Sequence, residues 1–141
     1  MAQVTFLAYG HKNLQGSHKT TLELTSESFL TRQGTCIIGI KSGMTLNRLG
    51  DDIKALARKE NTRICLSLML DGMMEEIVGR GSPGLTYMNE VSMVVRTSFF
   101  ECDRTLMVGA DKAAADLSRE FIDRLRNPNQ RVNCQITFTT V

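Results

Sequence analysis

Apolar and polar positions alternate along most of this chain, and the alternation gives way to a longer period only twice. In "QVTFLA" Val4, Phe6 and Ala8 share one face, and in "TTLELT" Leu22 and Leu24 oppose Thr21, Glu23 and Thr25. "CIIGIK" is apolar throughout and predicts a strand covered on both faces. "RICLSLML" and "MMEEIVG" flank Asp71-Gly72, a pair that suits a two-residue hairpin turn because both positions tolerate positive φ. A strict turn would put Glu75 on the apolar face with Leu68, so a bulge is expected. "EVSMVVRTS", "RTLMVGA" and "RVNCQITFTT" complete the set; in the last, Val132, Cys134, Ile136 and Phe138 alternate with Asn133, Gln135, Thr137 and Thr139. One polar and one apolar face mark an antiparallel sheet with a wet side.

The longer period occurs at 45–60 and 111–126. Leu46, Leu49, Ile53 and Leu56 form a stripe behind Thr45 as N-cap; Ala114, Leu117, Phe121 and Leu125 form another behind Asp111, ended by Asn127-Pro128. Glu120 and Arg124 stand in the favourable i,i+4 order. Eight strands and two helices predict a mainly β fold of the α+β class: an antiparallel β-sandwich or jelly-roll-like barrel with two peripheral helices, 1–141 as a single domain. No linker, low-complexity run or repeat is evident in the residues themselves.

Composition alters this picture little. The chain has 141 residues, enough for a core without staples, and a net charge of +2 from 17 Lys and Arg against 15 acids, so no strong field points to a duplex. Its four cysteines, Cys36, Cys65, Cys102 and Cys134, are dispersed and form no CxxC pair, which disfavours a structural zinc site. No basic-then-apolar leader opens the sequence and no window reaches spanning length, so a reduced, cytoplasmic protein away from membranes is expected.

Three stretches carry candidate chemistry. In "YGHKNLQGSHKTTLEL", His11, Asn13, His18 and Glu23 offer ligand-competent groups, and two histidines with a carboxylate can hold iron, manganese or zinc. His18 and Glu23 have opposite parity on a regular strand, so histidines capping loop amides are the plainer reading. In "VGRGSPGLTY", glycines around Arg80 leave backbone amides open to an anion, or simply make a wide turn. In "VVRTSFFECDRTLMVGADKAAADLSRE", Arg96, Arg104 and Arg119 either tie a helix to the sheet with Asp103 or Asp116 or face a phosphate or carboxylate. No GxSxG elbow or Cys–His pattern supports nucleophilic catalysis.

"GHKN" with "HKTTLELT", then "LTRQGTCIIGI", "GRGSPGL" and "RTLMVGADKAAADLSRE", in that order over nearly the whole chain, resembles the archaeal domain of unknown function family numbered 371. The resemblance implies an archaeal cytosolic protein with a compact, mainly β, jelly-roll-like fold, and no assigned activity or cofactor. Lys12 stands where family members commonly have proline, Thr35 where they have aspartate, and Ser82 where they tend to have histidine. With those replaced, the surviving set of His11, Asn13, His18, Thr20, Glu23, Arg80, Arg96, Arg104 and Asp111 suits a polar or anionic ligand better than a catalytic metal, and no metal ligand is assigned.

Two readings follow, with a His-based metal enzyme behind both. One is a small-ligand protein whose pocket is lined by His11, His18, Glu23 and the arginines, expected to show a concave site where these converge. The other is a non-enzymatic RNA- or ribonucleoprotein-binding module using an arginine-bearing sheet face, expected to show exposed Phe99, Phe100 or Tyr87 for stacking.

Overall fold

A computed structural model describes residues Met1–Val141. Its eight strands are β1 (Ala2–Tyr9), β2 (Thr21–Thr25), β3 (Ile37–Gly39), β4 (Thr62–Leu70), β5 (Met73–Arg80), β6 (Ser92–Arg96), β7 (Thr105–Met107) and β8 (Arg131–Thr140). Helices α1 (Asp51–Ala57) and α2 (Arg119–Leu125) are each preceded by a short 3-10 turn. Two four-stranded sheets have the orders β1-β8-β4-β5 and β3-β2-β6-β7. The first is wholly antiparallel, whereas β2 with β3 and β6 with β7 run parallel, which the alternation does not reveal. Single bridges, Tyr9 to Ile40 and Arg80 to Val108, join the edges of one sheet to those of the other. Of the architectures expected, the structure is a sandwich stitched shut at both sides.

The chain is also duplicated. The order strand, strand, strand, 3-10 turn, helix, strand occurs twice, and β5 and β6 begin 71 residues after β1 and β2. Pairing repeats with it: Glu23–Ile37 and Leu24–Gly39 in one half correspond to Val94–Thr105 and Val95–Met107 in the other. The Gly43 amide donates to the Leu7 carbonyl at 2.9 Å just as Asp111 donates to Val78 at 2.9 Å. A pseudo-twofold axis therefore passes between β4 and β8 in one sheet and between β2 and β6 in the other.

Close approach explains the glycines the halves share. A Cβ on Gly10 would lie 2.2 Å from the Leu125 carbonyl oxygen at the end of α2, and one on Gly81 would lie 2.4 Å from that of Ala57 at the end of α1. Each helix end thus packs on the strand exit of the opposite half. Left-handed residues also match: Gly16 (φ 56) with Tyr87 (φ 55), and Lys41 (φ 52) with Gly109 (φ 58). Tyr87 is fully buried, donates its hydroxyl to the Leu106 carbonyl at 2.6 Å, and meets Phe138 edge-on. Burial pushes its phenol far up, and it is not available for stacking.

One continuous core of 33 residues fills the space between the sheets. Leu22 and Leu24, Ile64, Leu66 and Leu68, and Val132, Ile136 and Phe138 all point inward as the period of two requires. Burying each such side chain contributes about 1.5–3 kcal/mol.

Both expected helices are shorter than their stripes. Leu49 and Leu117 are extended, so each stretch becomes a 3-10 turn followed by seven helical residues. Gly50 and Ser118 are the N-caps, and the Ser118 hydroxyl accepts from the Phe121 amide at 3.1 Å. Asp111 caps nothing: its carboxylate accepts from the Val78 amide on β5 at 2.9 Å. The Asp71-Gly72 turn is a strict two-residue loop with φ 49 and 77, and Leu68 pairs directly with Glu75. No bulge removes Glu75 from the inner face. Its carboxylate instead accepts from Lys112 Nζ at 3.2 Å and from the Ser118 amide at 2.7 Å, at the start of α2.

Candidate functional site

Of the four candidate side chains in the 9–24 stretch, His11, Asn13 and His18 serve the backbone. His11 Nδ1 accepts from the Asn13 amide at 3.0 Å, and the Asn13 carboxamide donates to the Leu30 carbonyl at 2.8 Å. His18 Nδ1 accepts from the amides of Thr20 and Thr21 at 3.2 and 3.1 Å. The symmetry counterpart of His18 is Asn89, whose Oδ1 accepts from the amides of Val91 and Ser92 at 2.9 and 2.8 Å. A histidine and an asparagine thus cap the same turn, one in each half.

Glu23 is buried on the outer face of the second sheet beneath the 26–36 loop, where it accepts from the Cys36 thiol at 3.4 Å. Burial, reinforced by the Glu23 charge, pushes that thiol up to about 11. No group of three His, Cys, Asp or Glu is placed to share a metal ion, and the four cysteines are free thiols.

The arginines gather around residues 97–104, the loop between β6 and β7. The Arg80 guanidinium lies 4.9 Å from the Phe99 ring centroid and that of Arg96 lies 4.8 Å from Phe100. Phe99 and Phe100 are 63% and 59% exposed, and the Phe99 ring lies close to Gly109, where a Cβ would come within 2.9 Å of it. Arg63 neighbours Arg80 across the β4–β5 pair, and exposed Arg104 ends the loop with no ion-pair partner. Arg96 also donates to Thr105 Oγ1 at 2.9 Å and to Cys102 Sγ at 3.4 Å. Partial burial pushes the Cys102 thiol up, but hydrogen bonds from Thr105, the Arg104 amide and Arg96 outweigh it and the net shift is down. Arg119 plays another part, clasping the carbonyls of Gly16, Ala114, Ala115 and Leu117.

The glycine-rich 79–84 turn does receive an anion, and it comes from the chain itself. Glu101 accepts from the Ser82 hydroxyl and from the Gly84 amide at 2.7 Å. Those two bonds, Ser82 first, hold its carboxyl below the usual range. The pin fixes the Phe99-Phe100 pair against the turn that carries Arg80. Sequence reasoning missed Glu101 because the contact joins residues 17 and 19 positions apart. Two adjacent phenylalanines in a chain of alternating pattern were the available signal.

His11 and Asn13 stand apart from this loop, beside the end of α2, where the His11 amide donates to the Leu125 carbonyl at 2.9 Å. None of the seven expected site residues lines a recess. Three recesses open instead around Asn133, on the outer face of the first sheet. No helix is long and apolar enough to cross a membrane.

A family model described as a domain of unknown function, DUF371, matches residues 6–139. An uncharacterised protein of Methanocaldococcus jannaschii is 36% identical over 125 residues, which span 89% of this chain and 92% of that protein. With a matching pattern over almost its whole length and a relative at that identity, the chain belongs to the DUF371 family.

Proposed function

We propose that this protein binds single-stranded RNA through the 97–104 loop. The observation that carries the reading is the pair of exposed rings, Phe99 and Phe100, with arginine guanidinium groups 4.9 and 4.8 Å from their centroids. Bases stack on such rings with little regard to sequence, while arginines on the same loop and the adjoining strand follow the phosphates. The loop also carries two charged acids, Glu101, held by Ser82 and Gly84, and Asp103, within 3.4 Å of the Asn89 carboxamide, and the four arginines Arg63, Arg80, Arg96 and Arg104 outnumber them. Arg104 and Arg63 extend the cationic rim on either side. The alternative of a small anionic ligand held by His11, His18, Glu23 and arginines has less support, since no recess gathers those groups.

Fluorescence polarisation with a labelled RNA of about ten nucleotides tests the proposal. Phe99→Ala and Phe100→Ala should each weaken binding about tenfold, as the loss of one stacked base predicts. Arg80→Ala should also reduce the salt dependence by about one phosphate contact. Absence of binding at about 100 μM, which corresponds to ordinary non-specific affinity, would sink the reading. So would phenylalanine variants that bind as well as the parent.

A further inference from the structure

We infer a second ligand site, specific for an adenine nucleotide, centred on Asn133 on the outer face of the first sheet. Recesses of about 300, 450 and 390 Å³ meet there, and Asn133 lines all three. The register explains the surface. Leu7 pairs with Asn133, Asn133 with Met69, and Met69 with Met74, so one row across four strands sets a carboxamide between apolar groups. The next row holds Thr5, Gln135 and Ser67.

Three features define the ligand chemistry. First, the carboxamides of Asn13, Asn47, Asn61, Asn89 and Asn127 are engaged with neighbouring groups, whereas that of Asn129, which lines one recess, is not. Those of Asn133 and Gln135 likewise make no hydrogen bond within the protein, and exposed Asn133 lines every recess. A carboxamide presents one donor beside one acceptor, the complement of the adenine N6–N7 edge. Second, Met69 and Met74, which are 37% and 56% exposed, offer polarizable thioethers that adapt to a flat ring. Third, Arg131 stands unpaired at the rim of the 450 Å³ recess, while the neighbouring Asp71 carboxylate is already met by Arg124 at 3.0 Å. A phosphate is therefore met by a free cation and a compensated acid.

The duplication gives an independent reason to read this recess as more than a gap between strands. The counterpart row in the other half is Val78, Cys65, Thr137 and Gln3. There Cys65 is only 5% exposed and no recess forms. One scaffold, used twice, is closed at one place and open, with unspent carboxamides, at the other.

The test is a titration of the full chain with AMP, followed by backbone and side-chain amide NMR. Saturable shifts at the Asn133 and Gln135 carboxamides, with Kd below about 1 mM, are expected. Ribose 5-phosphate should bind at least tenfold more weakly, as should AMP to Asn133→Ala, a surface change that leaves the melting temperature in place. Saturation by AMP assigns a free nucleotide, and saturation only by a short oligoadenylate assigns one residue of a strand; both support the site. No saturable shift from either probe, or equal shifts from ribose 5-phosphate, would overturn it. The double variant Phe99→Ala/Phe100→Ala should still bind AMP, so this site and the RNA reading fail separately.

Discussion

The two halves share one scaffold and almost none of its chemistry. Where the first half has Tyr9 with Lys41 6.0 Å from its ring centroid, the second has Arg80 over Phe99. Where the first has buried Thr25, the second has Arg96 over Phe100. Positions that set the path of the chain are kept: Gly10 and Gly81, Leu14 and Leu85, and the turn caps His18 and Asn89. Positions on the outer faces diverged. Duplication thus separates residues that build the fold, which must satisfy both halves, from residues free to acquire a role in one.

The largest effect should fall on the shared positions. Gly10→Ala and Gly81→Ala each drive a Cβ into helix-terminal carbonyls and should cost about 3–4 kcal/mol by chemical denaturation. Leu14→Ala and Leu85→Ala, both fully buried, should cost about 2–5 kcal/mol each. If members of a pair differed by more than about 2 kcal/mol, the structural equivalence of the halves would be broken.

A smaller effect should appear where one half alone carries a charge. Glu75, Lys112 and Ser118 correspond to Val4, Met44 and Gly50 in the first half, so an ion pair and a helix-start contact replace an apolar patch. Glu75→Val should cost about 1–2 kcal/mol, because Lys112 and the Ser118 amide lose their acceptor. Adding Lys112→Met, which copies the first half, should recover about half of it. A double variant no more stable than Glu75→Val would show that the pair is not coupled.

The turn caps sharpen the comparison further. His18→Asn should change stability by less than about 0.5 kcal/mol, whereas His18→Ala should cost about 1 kcal/mol. Equal losses from both would mean that the imidazole does something the asparagine of the other half does not.

The smallest effect leaves stability untouched and reads the thiols. Cys102 has its thiol shifted down, whereas burial pushes Cys36 up to about 11 and Cys134 up to about 12. The thiolate is the reactive form, so iodoacetamide should label Cys102 first as pH rises from about 7. Mass spectrometry that found Cys36 labelled earlier would contradict the electrostatic difference between the two loops.

Much of the fold was legible. In β8 the period of two places Val132, Cys134, Ile136 and Phe138 inside, all 0–1% exposed. The helices were overextended because Leu46, Leu49 and Ile53 satisfy helical spacing, yet a 3-10 turn, two extended residues and a new helix bury the same side chains. The duplication was hidden because paired positions share a role and not an identity, as with His18 and Asn89 or Gly16 and Tyr87. Of the candidate site, the exposed Phe99 and Phe100 and the arginines were visible as residue types. Their convergence, the Glu101 pin and the unspent carboxamide of Asn133 depend on register between strands far apart in sequence, and no local pattern encodes that.

The stitched edges bear on self-association. A sheet edge with free amides and carbonyls can template another chain, and the Tyr9–Ile40 and Arg80–Val108 bridges remove much of that risk. What stays open is the first part of β1 and of β5, and the two are guarded differently. On β5, Glu75 points a charge inward, so a strand docking there would have to accommodate it. On β1 the same position is Val4, which presents no such obstacle. The beginning of β1 is therefore the surface from which aggregation would start when the protein is concentrated or partly unfolded, and a lysine at Thr5 is the substitution that would close it.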